Sequence, residues 1–304
     1  MKLIALLLNP GTLALLTLLA AVVWMLKNEK DKSRPIVVFA IALDLFLAWL
    51  FPAVLGGENG LFPWKYDHVL ILLDASLGVS AAALALPLQG ILKFPLHIVY
   101  QAIILMLICW FVVNRNLNRR VSLMIAYVVE MIAAPLLYSI VPACGPIYAF
   151  GPLWLHPPAV APTALRLTGM PNAFPSLHIA AAFALVLFAP GKLWRGVSLV
   201  FLAGTVMATL STGEHYVIDL IPGLALGCFA ASVGYRRFPH ALLYLGAVLS
   251  WSLSVRFGYL ILISHPCLLR TFAALTVALA IFAIFKEWNL PARFEAEPVL
   301  ASQK

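Results

Sequence analysis

The feature that most constrains this chain is the length of its uncharged apolar runs. A helix of about 20 apolar residues crosses the hydrocarbon core of a bilayer, and run after run here approaches that length. The first covers 3–26 and is followed by Lys27, Lys30, Lys32 and Arg34. A cleaved signal peptide carries its charge on the other side, so this run is expected to be a retained span. Further spans are expected at 36–55, 96–113, 121–141, 176–190, 197–210, 216–234, 241–263 and 266–285. The stretch 66–95 is apolar too, but Asp67, His68, Asp74, Gln89 and Lys93 punctuate it. It is expected to lie at the interface as one or two helices. The expected fold is an all-α integral membrane protein with about nine transmembrane helices.

Composition agrees. Apolar residues make up 63% of the 304 positions, charged residues 11%, and mean hydropathy is +0.99. Soluble domains have about 45–50% apolar and about 25% charged residues, so a soluble enzyme, a disordered chain and a disulfide scaffold are all excluded. Cys109, Cys144, Cys228 and Cys267 have no metal-ligand spacing. The net charge of +8 reflects loop placement, not nucleic-acid binding. With nine spans, 14 of the 20 Lys and Arg fall on one side, in 27–34, 115–120, 192–195, 236–237 and 286–304. The positive-inside rule makes that side cytoplasmic. The segment 142–175, rich in Pro and Gly, then lies outside; connections of that length are often functional. The short loops point to a bacterial inner membrane, with the periplasm as that outer side.

Two short segments carry the chemistry, and the charge-based topology puts both at the outer face. One is Phe174-Pro175-Ser176-Leu177-His178, opening an apolar helix. The other is Ser211-Thr212-Gly213-Glu214-His215-Tyr216-Val217-Ile218-Asp219. His215 and Asp219 are i and i+4, one helical turn apart. Such an Asp accepts the proton of one imidazole nitrogen and leaves the other free to attack. His178, on a different helix, supplies a general acid and base. Pro175 and Ser176 suit a helix start, whose free N–H groups favour a phosphate. Taken singly, an interfacial His snorkels more often than it reacts, and a His–Asp pair can be a packed ion pair. Together on one face they point to catalysis, since ionisable groups within spans are costly. Tyr148, Asn172, Glu214 and Tyr216 flank the site and can touch a headgroup. Asp67 and Asp74 read as the wet face of the interfacial helix. Asp44 and Glu130, inside spans, read as bonds between helices.

These motifs resemble the type-2 phosphatidic acid phosphatase superfamily. Its second motif, Pro-Ser-Gly-His, is here Pro175-Ser176-Leu177-His178. Its third runs Ser-Arg, five residues, His, three residues, Asp; His215 and Asp219 match, while Ala208 and Thr209 stand where Ser and Arg would be. The first motif, Lys, six residues, Arg-Pro, is not found. The chain is most similar to the branch of inositol phosphorylceramide synthases and their bacterial relatives, which uses Pro-Ser-Leu-His and His-Tyr…Asp forms. The run Val141-Pro142-Ala143-Cys144-Gly145-Pro146 also looks like that branch. The resemblance covers about 66–235 and implies a six-helix catalytic core there. Around it lie an N-terminal pair of spans (1–65), a C-terminal pair (236–286) and a cytoplasmic tail (287–304).

The resemblance further implies a phosphohistidine intermediate on His215, with Asp219 orienting it and His178 protonating the leaving oxygen. No metal or cofactor is required. The partners are membrane lipids: a lipid phosphate donor, and water or an alcohol as acceptor. Without the family arginines, the candidates for the phosphate clamp are Arg166, Lys65 and Arg256. The competing expectation is a lipid or solute transporter with a non-catalytic version of the fold. Against it, no internal repeat of the kind transporters show is present.

Overall fold

The structure, a computed structural model, describes residues 34–114 and 116–289. The expected span 3–26, Lys27, Lys30, Lys32, Arg115 and the tail from 290 lie outside the described residues. Helix α1 (Arg34–Leu61) leads to a two-residue strand, β1 (Trp64–Lys65). Next come α2 (Asp67–Leu77), α3 (Ala81–Ala85), α4 (Lys93–Gln101), α5 (Ile103–Val113) and α6 (Leu117–Ile140). A long connection holds the one-turn α7 (Pro146–Phe150) and strand β2 (Leu165–Arg166). The chain closes with α8 (Leu177–Leu187), α9 (Gly191–Thr212), α10 (Val217–Gly234), α11 (Phe238–Phe257), α12 (Tyr259–Ser264) and α13 (Pro266–Asn289). Strands β1 and β2 pair antiparallel, with Trp64 opposite Arg166 and Lys65 opposite Leu165.

Six helices are long and apolar enough to cross a membrane: α1, α6, α9, α10, α11 and α13. Two further pairs are bent, α2 with the segment from Ala81 to Leu88 by 77°, and α4 with α5 by 54°. Counting each pair as one span gives eight among the described residues. This set differs from the expected one at 67–88, expected at the interface and here passing as a bent pair, and at 176–190. There α8 has 11 residues, about 16 Å at 1.5 Å per residue, half of what a bilayer needs. Its run is apolar for another reason. Every residue from Ile179 to Leu187 is buried, so α8 sits inside the bundle with no lipid face.

The packing around α8 explains how the two motifs meet. Helix α10 presents glycines where other helices come closest. A Cβ at Gly223 would stand 2.7 Å from the Ser176 carbonyl oxygen, one at Gly227 2.6 Å from that of Ala180, and one at Gly234 2.3 Å from that of Ser122. Lipid supplies no hydrophobic drive between helices, so this small-residue contact gives α10 its grip on α8 and α6. It brings the starts of α8 and α10 to one end of the bundle, where the connection 141–176 folds over them.

Polar groups at that end correct two expectations. Asp67 and Asp74 are not a wet face; they are 0% and 1% exposed. Asp67 accepts N–H groups from Cys144 (3.1 Å) and Gly145 (2.8 Å) and the Tyr216 hydroxyl (3.0 Å). Asp74 accepts the N–H groups of Val217 (3.0 Å) and Ile218 (2.7 Å), the first turn of α10. Helix α2 therefore turns its carboxylates inward, onto backbone donors that have no helical partner. Asp44 of α1 is buried facing the Tyr127 hydroxyl of α6, as a bond between helices requires. Glu130 is also buried, but its Oε1 has no hydrogen-bond partner among the described residues.

The glycine contacts generate a stability prediction. Gly227→Ala should cost about 1–3 kcal/mol, because its methyl group meets backbone that cannot move aside. Gly246→Ala on α11 should be neutral or stabilising, since nothing lies within 4 Å of its Cβ position and alanine favours a helix. Thermal melts of the two variants in one detergent check this contrast.

Candidate active site

His215 lies in the turn between α9 and α10 and is 2% exposed. Its Nδ1 faces two acceptors, Asp219 Oδ1 at 3.1 Å and the Ala173 carbonyl oxygen at 3.1 Å. Two acceptors at one nitrogen require the proton there, which leaves the Nε2 lone pair free. Ser176 Oγ stands 3.3 Å from that Nε2. Asp219 is held in turn: its Oδ2 accepts the Tyr216 N–H at 2.8 Å, the reach-back of a third-position acid at a helix start. Burial opposes charge on His215, but Asp219 and Glu214 outweigh it, and the imidazole is held above its ordinary range.

His178 comes from the first turn of α8. Ser176 caps that helix, its Oγ accepting the Ile179 N–H at 3.4 Å, and its own N–H bonds to the Asp219 carbonyl oxygen at 3.0 Å. The His178 and His215 rings meet edge to face, 5.9 Å between centroids. Tyr100 of α4 stacks on the other face of His178 at 4.1 Å. Neither His178 nitrogen is hydrogen-bonded to a described residue, so the ring is fixed in plane while its polar edge stays open.

The approach to the histidines is shaped by the connection. Gly145 has φ +92°, and a Cβ there would stand 2.2 Å from the Glu214 carbonyl oxygen, so only glycine lets the 141–146 run lie against the His215 turn. The exposed Tyr148 donates to Glu214 Oε1 at 2.9 Å. Burial, then Glu214, raises the Tyr148 phenol to about 12. Burial also lifts Glu214 above the usual carboxylate range, against the pull of Tyr148 and His215. A cavity of about 180 Å³ opens at Asn172, Leu177 and His178. It runs down between α1 (Ala48, Phe51, Pro52), α5 (Ile103, Ile104, Leu107) and α6 (Tyr127, Met131, Tyr138), and its walls are mostly apolar. Asn172 Oδ1, at its mouth, is buried without a hydrogen-bond partner among the described residues.

The other sequence candidates are placed differently. Tyr216 is fully buried and its hydroxyl bonds to Asp67, so it turns away from any headgroup. Lys65 is buried, and its Nζ donates to the Phe62 carbonyl. Burial lowers its pKa while Cys144, Asp67 and Glu58 pull it up; it serves those loops. Arg256 lies over the Tyr66 ring, 4.9 Å from its centroid. Arg166 is exposed on β2 and has no carboxylate partner among the described residues. Thr209, where the third motif would carry arginine, is buried with its hydroxyl bonded to the Val206 carbonyl at 2.9 Å. Sequence reasoning missed Tyr100, Asp67, Asp74 and the Ala173 carbonyl. Only the two aspartates had a signal, a seven-residue spacing that puts both on one helical face.

A family profile described as the PAP2 superfamily matches residues 68–233, which hold both histidines and Asp219. No curated protein and no solved structure matches the chain.

The His215 geometry makes a titration prediction. Followed by imidazole NMR, His215 should titrate above the ordinary histidine value of 6.5. Asp219→Asn should move that pKa down, since the raising charge is gone and the burial stays. An unmoved pKa would mean that Asp219 does not set the charge of this ring.

Proposed function

This chain belongs to the PAP2 superfamily, and we propose that it transfers the phosphoryl-containing headgroup of a membrane lipid through a phosphohistidine on His215. The observation that supports this reading best is the His215 imidazole, buried, with Nδ1 held by two acceptors and Nε2 turned toward Ser176 Oγ and the start of α8. In the proposed reaction Nε2 attacks phosphorus and the bond from phosphorus to the lipid oxygen breaks. Burial and the neighbouring His215 hold the His178 pKa down to about 3; the anionic phosphate beside the ring offsets this and favours its protonated form, which gives its proton to the lipid oxygen. Neutral His178 then takes a proton from the acceptor, whose oxygen displaces His215. Asp219 keeps Nδ1–H in place and offsets the charge on the ring as the N–P bond forms.

The apolar cavity at His178 favours a lipid donor, because it continues from the site into the bundle. Asn172, whose oxygen at the cavity mouth has no hydrogen-bond partner among the described residues, is placed to receive a hydroxyl. An alcohol acceptor is favoured over water by the Pro-Ser-Leu-His form and by Thr209 in place of the phosphatase arginine. We assign the phosphate clamp to Arg166, whose guanidinium has no carboxylate partner among the described residues. Glu214 and Tyr148 would line the headgroup side. The catalytic core is proposed to occupy 66–235. The Lys/Arg bias puts the site at the outer, periplasmic face of a bacterial inner membrane.

His215→Ala should abolish the first half-reaction whatever the acceptor. His178→Ala should slow it about 10²–10⁴-fold, and less for a donor with a good leaving group such as a nitrophenyl ester. Acid-labile phosphate should be trappable on the wild type and never on His215→Ala. Headgroup exchange and phosphate release with a panel of lipid donors read both; full activity in a folded His215→Ala protein overturns the mechanism.

One further variant tests clamp and sidedness together. Arg166→Cys should raise the donor KM several-fold with little change in kcat. In a background without other cysteines it should react with an impermeant reagent from the outer side. An unchanged KM removes Arg166 from the clamp; labelling from the cytoplasmic side alone overturns the orientation.

A further inference from the structure

A second cavity lies at the other end of the bundle and plays no part in the chemistry above. It has about 280 Å³ and is walled by the start of α6 and the turn after α10. Arg119 and Arg236 line it, together with Asn118 and Ser122. Among the described residues no acidic side chain lines it. The neighbouring Arg237 is already committed, ion-paired with Glu287 and lying over the Tyr235 ring. Arg119 and Arg236 form no salt bridge among the described residues, and Glu287 acts on Arg119 only from beyond ion-pair distance. Below this cationic rim Leu117, Val121 and Ile125 line the same cavity. Their i, i+4, i+8 spacing makes one apolar stripe running down α6. Gly234 closes the floor, with its Cβ position 2.3 Å from the Ser122 carbonyl oxygen.

The backbone at the rim adds a separate observation. Arg236 has φ 58°, the one left-handed non-glycine residue described. Glycine holds that conformation without steric cost, and a residue with a Cβ does not. Strain of this kind concentrates where a side chain has work to do. Here it puts a guanidinium beside the cavity.

We propose that this cavity binds one anionic phospholipid of the leaflet opposite the His215 end. Arg119 and Arg236 receive the phosphate, Ser122 and Asn118 hydrogen-bond the headgroup, and an acyl chain lies along Leu117, Val121 and Ile125. Cationic pockets between helix ends suit anionic headgroups in this way, and the apolar stripe favours a lipid over a free anion. The proposal does not depend on the His215 chemistry.

The test is thermal unfolding of the full purified chain in detergent, with added phosphatidylglycerol, phosphatidylcholine of the same chains, or inorganic phosphate. A ligand that binds only the folded state raises Tm as its concentration passes Kd. Phosphatidylglycerol should raise Tm saturably, and the other two should not. Arg236→Gly should melt at least as high as wild type without lipid, because glycine suits φ 58°. Its lipid response should need at least tenfold more phosphatidylglycerol, and Arg119→Ala with Arg236→Gly should show none. An equal rise with phosphatidylcholine, or a full response in the double variant, overturns the site. A rise of the same size with inorganic phosphate assigns the cavity to a free anion and overturns the lipid. A response seen only after Glu295→Gln with Glu297→Gln would give the cavity to the chain's own acidic tail, and would also overturn it.

Discussion

An amide N–H without a partner in hydrocarbon costs several kcal/mol, and the start of α10 carries three such groups in a row. Asp219 takes the Tyr216 N–H, and Asp74 takes those of Val217 and Ile218. Everything distinctive about the site follows from those bonds. They stop the chain from unwinding where it must turn from α9 into α10, so His215 projects from a fixed backbone. Asp219 also serves the imidazole, so the group that ends the helix and the group that orients the ring are one carboxylate. Asp67 extends the arrangement to the next loop, tying Cys144, Gly145 and Tyr216 together. The site is a layer of backbone donors gathered onto three aspartates, with His215 set into it.

What could be read from the sequence, and what could not, follows the distance over which each feature is encoded. His215 and Asp219 are one turn apart, so their spacing alone gives the pair. His178 could be placed on the same face because its helix, like α10, starts at that end. The stacking of Tyr100 on His178 could not be foreseen; it depends on the 54° break between α4 and α5. The Ala173 carbonyl is a backbone group and leaves no mark in a side-chain pattern. Asp67 and Asp74 were misread because charge was taken as a sign of water. In a helix lying across a layer of loops, the charged face is the one pressed inward.

The span count shows the same limit. Hydropathy separates apolar from polar, but not lipid from protein interior. Helix α8 reads like a span because it is apolar all round, yet its surroundings are other helices. The long helices α1, α6 and α13 instead expose large apolar side chains such as Phe46, Leu136 and Phe282, the outward face that a span requires. Lys65 and Arg256 show why cations are hard to assign from position alone. Each lies near the right end of the molecule, but one is sealed under a loop and the other rests on Tyr66. Arg166, the third candidate, is exposed on β2.

The glycine contacts of α10 carry a consequence for movement. Gly223 and Gly227 sit against the Ser176 and Ala180 carbonyls with no side chain between, like a key in a slot. A slide of even one residue would drive a side chain into backbone. Helices α8 and α10 are therefore locked to each other at these contacts, and the separation of the two imidazoles is fixed with them. Room for a bulky guest has to come from the opposite wall. That wall is built from α1 and the broken helix α4–α5, whose contacts are side chains that can swing. The molecule thus divides into an anvil that keeps the reacting groups in register and a yielding jaw that faces the bilayer.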